Sequence, residues 1–157
     1  LNMAASVLVG QNLGAARPDR AERLAWLTAW TGVAIMSTMA LIVFIWAEFF
    51  ASLVAQDRAV VAETVRYLRI NMFAEPFLAL SLVLGGGLQG AGDTRTTMWA
   101  AVIAMWAIRL PAAWLLALTM EWGPPGAWTA MAGSMVVQGI FLSWRFRQGE
   151  WKRIKVD

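Results

Sequence analysis

Glu75 and Arg109 are the only charged residues in two long apolar runs of this chain, Ile70 to Gln89 and Thr97 to Met120. Each is closely followed by a proline, Pro76 and Pro111. A run of about 20 helical residues, at about 1.5 Å each, crosses the roughly 30 Å hydrocarbon core of a bilayer. Both charges then lie inside a membrane, where an unpaired one costs at least about 2.5 to 3.5 kcal/mol. If the segment joining the two runs turns at one membrane face, Gln89 and Thr97 mark the boundary. Counting back gives about 21 Å of depth for Glu75 and about 18 Å for Arg109. Opposite charges at matching depth on antiparallel neighbours predict a Glu75/Arg109 ion pair. Its chemistry has two readings: Glu75 carries a proton or cation through the membrane, or the pair only sets helix register. Asn71, Ser81 and Gln138 can add hydrogen bonds to a polar cavity, or can serve contacts between helices.

Composition sets the class. Of 157 residues, 59% are hydrophobic and only 15% charged, with ten Trp, no His and no Cys, which is a membrane composition. An imidazole base, a thiolate nucleophile and a His/Cys metal site are therefore excluded, so no enzyme and no bound cofactor is expected, and metal ligands remain unknown. A net charge of +3, concentrated in loops and near the C-terminus, does not make a nucleic-acid groove. The chain starts at Leu1, inside an apolar stretch with no basic leader. This predicts a C-terminal fragment of a longer membrane protein that lacks its N-terminal part.

In order, residues 1–9 read as the end of a spanning helix stopped by Gly10, and Pro18 and Asp19 suit the start of the next. Helices are expected over about 21–47, 70–89, 97–120 and 124–144, with Glu48 closing the first of them, and a basic tail over 145–157. Phe49 to Arg69 reads either as an amphipathic interfacial lead-in or as a solvated loop. Gly85 to Gly87 suit close helix packing, Gly90 and Gly92 a turn, and Gly133 with Ser134 further packing. A phosphate-binding loop there is disfavoured, since no Gly-Lys-Ser/Thr follows and no strand precedes.

Arg17, Arg20, Arg23, Arg95, Arg145, Arg147, Lys152, Arg153 and Lys155 fall on one side of this topology, against Arg58, Arg66 and Arg69 on the other. The basic excess predicts that the first side, with the C-terminus, is cytoplasmic. Trp26, Trp99 and Trp144 near that boundary, and Trp46, Trp122 and Trp128 near the other, suit aromatic belts. Trp151 and the basic tail can touch anionic lipid or simply anchor the topology.

Three motifs together carry a family resemblance: Gly10-Gln11-Asn12-Leu13-Gly14, Gln89-Gly90-Ala91-Gly92-Asp93-Thr94-Arg95, and Arg109-Leu110-Pro111. In order and spacing they resemble the second half of a multidrug and toxic compound extrusion (MATE) transporter. The resemblance implies an all-α polytopic membrane helix bundle, here four full transmembrane helices plus the end of a fifth, within the second six-helix lobe. It also implies multidrug efflux from the inner membrane by antiport of organic cations or other amphiphilic, drug-like compounds against Na⁺ or H⁺, with membrane lipid and the missing N-terminal lobe as partners. Some members carry an acidic cation-site residue near the position of Leu78, about one turn from Glu75. A lipid-linked sugar flippase of related architecture and a non-transporting membrane subunit are the alternatives.

Overall fold

The computed structural model describes residues 1–153. Ile154 to Asp157, with Lys155 of the expected tail, and the Arg153 side chain lie outside the described residues. The described chain is an all-α membrane helix bundle: α1 (Asn2–Gly14), α2 (Pro18–Ile45), α3 (Ala47–Val54), α4 (Arg58–Met72), α5 (Glu75–Gly90), α6 (Thr94–Thr119) and α7 (Pro124–Gln148), then a 3₁₀ turn (Glu150–Arg153). α2 and α6 are each long and apolar enough to cross a membrane, and the bent pair α4–α5 makes a third crossing if it is one span. α7 does not reach the same apolarity, but its 25 residues give it about 37 Å of length, and it returns along α6.

Packing is inverted relative to a water-soluble domain. The buried apolar set is mostly alanine, including Ala5, Ala21, Ala25 and Ala29, whereas Leu27, Trp30, Trp106, Trp114 and Leu118 point outward. Lipid solvates large side chains as well as a core does, so small residues go where backbones must approach. Gly86 and Gly90 of α5 lie against the backbones of Asn2 and Ser6 of α1, and Gly139 of α7 lies against that of Phe77. Gly126 meets the Leu116–Ala117 backbone, where an added β-carbon would stand 2.7 Å away.

Several boundaries differ from the sequence-based expectation. α1 runs through Gly10 to Gly14, because Gly10 serves contact with the Gly90 carbonyl rather than a stop. Gly90 likewise closes α5 and packs on α1, and the turn itself belongs to Gly92, with φ of 87°. Asp93 then caps α6, accepting from the Thr96 amide at 3.2 Å and the Thr96 hydroxyl at 2.8 Å. α2 ends at Ile45, so Glu48 opens α3 instead of closing the long helix. Phe49 to Arg69 is helical on both sides of Asp57, which caps α4, and Ala47, Ala51 and Val65 form the seam between α3 and α4. Gly133 is open, with nothing within 4 Å of an added β-carbon.

The expected single helix over 70–89 is two. α4 stops at Met72 and α5 restarts at Glu75, at an angle of 51°. Pro76 supplies the cause, since it has no N–H for the Met72 carbonyl and its ring crowds that oxygen. In α6 the backbone is π-helical over Ile103–Arg109, and the Leu110 amide reaches back five residues to the Met105 carbonyl. Pro111, which deprives the Ala107 carbonyl of its ordinary partner, sits just beyond that stretch.

Candidate ion and substrate site

Glu75 and Arg109 do not pair. Among the described residues Arg109 has no carboxylate within 4.0 Å. Its Nε instead donates to Ser134 Oγ at 2.8 Å, and its Nη1 lies 3.8 Å from Met105 Sδ. The neighbour relation behind the expected pair does not hold, because α7 stands between the two helices. α7 meets α5 at Gly139 and Phe77 and meets α6 at Ser134 and Arg109, while α5 and α6 meet mainly near their joining loop. There Gln89 Nε2 and Thr97 Oγ1 are 3.5 Å apart.

Glu75 is half-buried in the first turn of α5, where the helix dipole favours a negative charge. One turn back, across the break, Asn71 is 5% exposed. Its Nδ2 donates to the Tyr67 carbonyl at 3.0 Å, whereas its Oδ1 is buried without a hydrogen-bond partner among the described residues. An orphaned buried acceptor is costly, and a cation or a donor is what satisfies it. The break therefore brings two oxygen-bearing side chains, Asn71 and Glu75, into one short stretch of interrupted backbone. Interrupted helices inside membranes expose the unpaired backbone groups that bind ions.

Around the break lies an open groove of about 500 Å³ between α2, α4–α5 and α7, walled by Phe44, Phe73 and Val136, with Arg69 and Gly133 also lining it. The Phe44 and Phe73 rings meet edge to face at 5.5 Å. Gln138 lines a separate small apolar crevice with Ile108 and Phe141, so it does not join Asn71 and Glu75. Gln11 and Gly14 near the end of α1, and Arg95 in the first turn of α6, are exposed at the basic end of the bundle.

That basic end holds an arrangement the sequence did not disclose. After α7 the chain reverses at Gly149, φ 73°, and Trp151, 1% exposed, stacks on Phe146 at 4.7 Å and donates from Nε1 to the Phe146 carbonyl at 2.8 Å. Trp151 is therefore a core residue and not a lipid anchor. Lys152 Nζ reaches Glu22 at 2.6 Å and Asp19 at 3.3 Å, tying the end of α7 to the start of α2. The hydrogen bond from Lys152 to Glu22 raises the lysine pKa above its ordinary value, and the charges of Glu22 and Asp19 add to the shift.

The MatE family model matches residues 1–115. Among curated proteins, the chain is 27% identical over 92% of its length to the probable multidrug resistance protein NorM of Mannheimia succiniciproducens, of which it covers 32%. It is 32% identical over 94% of its length to the probable multidrug resistance protein NorM of Bradyrhizobium diazoefficiens, again covering 32%. It is 29% identical over 99% of its length to the multidrug resistance protein PmpM of Pseudomonas aeruginosa, covering 33%. The chain thus spans about a third of the length of the curated relatives it matches.

Proposed function

Because this chain belongs to the MatE family, we propose that it forms part of a multidrug efflux transporter that exports organic cations or other amphiphilic compounds in exchange for Na⁺ or H⁺. The observation that carries the ion part is the unsatisfied Asn71 Oδ1, four residues before Glu75 and on the other side of the helix break. A carboxylate and an amide oxygen can share a proton or a small cation, and the break lets the site loosen when α4 and α5 change their angle. The cell inner membrane and a cytoplasmic C-terminus belong to the same reading. Lys152 bound to α2, and Phe146 packed edge to face on Trp26, support it by gathering the start of α2 and the end of α7, with their arginines, at one end of the bundle.

The test uses the full-length protein in liposomes under an imposed Na⁺ or H⁺ gradient. Glu75→Gln keeps size and most hydrogen bonding but removes the charge, so gradient-driven export should stop while the protein still inserts. Asn71→Ala should raise the cation concentration needed for half-maximal export about tenfold, the worth of one hydrogen bond of roughly 1 to 1.5 kcal/mol. Export by Glu75→Gln at the wild-type rate under both gradients would remove the coupling role.

A further inference from the structure

We propose that the Arg109 guanidinium is a recognition point for an anionic group, a carboxylate above all, carried on the exported compound. The proposal rests on the transporter reading and names the residue that meets the acid end of an amphiphilic compound. Arg109 lies 15 residues from the Thr94 end of α6 and 10 from the Thr119 end, about 22 Å and 15 Å, so it sits near mid-membrane. The guanidinium is held in place rather than free to swing. Its Nε–H donates to the buried Ser134 hydroxyl at 2.8 Å, and that hydroxyl donates to the Met131 carbonyl at 2.7 Å. The Ser134 proton is thereby committed to the backbone, so its oxygen faces Arg109 as an acceptor, and Arg109 Nη2 is unpartnered among the described residues.

A fork of N–H groups in an apolar surround fits a carboxylate in both shape and charge. Lipid phosphates lie at the membrane boundaries, too far for an arginine at this depth to reach. The anion comes on a compound in transit through the protein; a carboxylate elsewhere in the longer protein is the competing source, and the experiment separates the two. The setting suits a visiting ligand in two further ways. The π-helical stretch that ends at Arg109 is a backbone form found often at functional sites, and the Met105 thioether is a soft wall that adapts to varied shapes.

The experiment compares two compounds with the same aromatic body, one bearing an ammonium group alone and one bearing an ammonium and a carboxylate. Export by the full-length protein in liposomes, and equilibrium binding to the purified protein in detergent, are measured for both. Arg109→Gln should lower the zwitterion-to-cation ratio at least about tenfold in both assays, as expected for a charged hydrogen bond. Ser134→Ala, which only frees the guanidinium, should lower the ratio less. Arg109→Lys, which keeps the charge and loses the fork, should also lower it, and it stands in if the glutamine variant fails to insert. An unchanged ratio overturns the proposal. So does an equal loss of both compounds in a correctly inserted variant, which would make Arg109 the partner of a carboxylate elsewhere in the chain. Arg109-dependent binding of the zwitterion by a wild type that exports neither compound would leave the site standing and remove the transport reading alone.

Discussion

Gly86 of α5 lies so close to Asn2 of α1 that an added β-carbon would press on the Asn2 backbone, and Asn2 Nδ2 donates to the Leu82 carbonyl at 2.6 Å, one turn away. Asn2, Ser6 and Gly10 recur every four residues, opposite Gly86 and Gly90, also four apart. Two ridges of small residues are thus in register, and the polar side chain at one end adds a hydrogen bond.

Gly86→Ala is expected to destabilise the full-length protein by about 1 to 3 kcal/mol, because the two helix backbones must part. Gly133→Ala meets open space and should be neutral or stabilising by up to about 1 kcal/mol, as for glycine replaced inside a helix. Thermal unfolding in detergent measures both. Equal effects of the two substitutions would contradict the packing account.

The Lys152 contact predicts a high-pH opening of the C-terminal turn. A lysine whose folded pKa is raised contributes stability that is complete below its ordinary 10.5 and is lost as pH climbs through the raised value. Fluorotryptophan NMR, with the Trp151 signal assigned through Trp151→Phe, should show the turn intact at neutral pH and released only in strong alkali. Glu22→Gln removes the main cause of the shift and should move that release to lower pH. No movement would mean that the Trp151 stacking alone holds the turn.

Orientation is open to direct labelling. In a cysteine-free full-length background, single cysteines at Gln148 and Trp122, both exposed and at opposite ends of α7, are treated with an impermeant thiol reagent in intact cells. Position 122 should react and position 148 should not. The reverse pattern would invert the topology.

Fold class was legible because composition and run length are additive properties: 59% apolar residues and uncharged stretches such as Leu24–Ala47 leave few options beyond membrane helices. The turn that joins α5 to α6 was legible too, since Gly92 signals it and Gln89 does meet Thr97 across it. Neighbour relations were not. Nothing local in Glu75 or Arg109 tells that α7, which comes later in the chain, inserts between their helices. The break at Phe73 and Ala74 had a signal in Pro76, but a proline in a membrane helix is compatible with both a mild kink and a full interruption. Trp151 misled because a tryptophan among basic residues reads as interfacial; only the chain reversal at Gly149 brings it onto Phe146.

The position of α7 between Glu75 and Arg109 has an evolutionary consequence. Two charges that share no partner and are screened by an intervening helix respond to substitution nearly independently. Change around Asn71 and Glu75 can then retune one property of the protein while the surroundings of Arg109, Ser134 and Met105 drift to suit another. Had the two been locked in one ion pair, every step at either site would have needed a matching step at the other. With α7 as a partition, descendants of this sequence can change either site without a compensating change at the other.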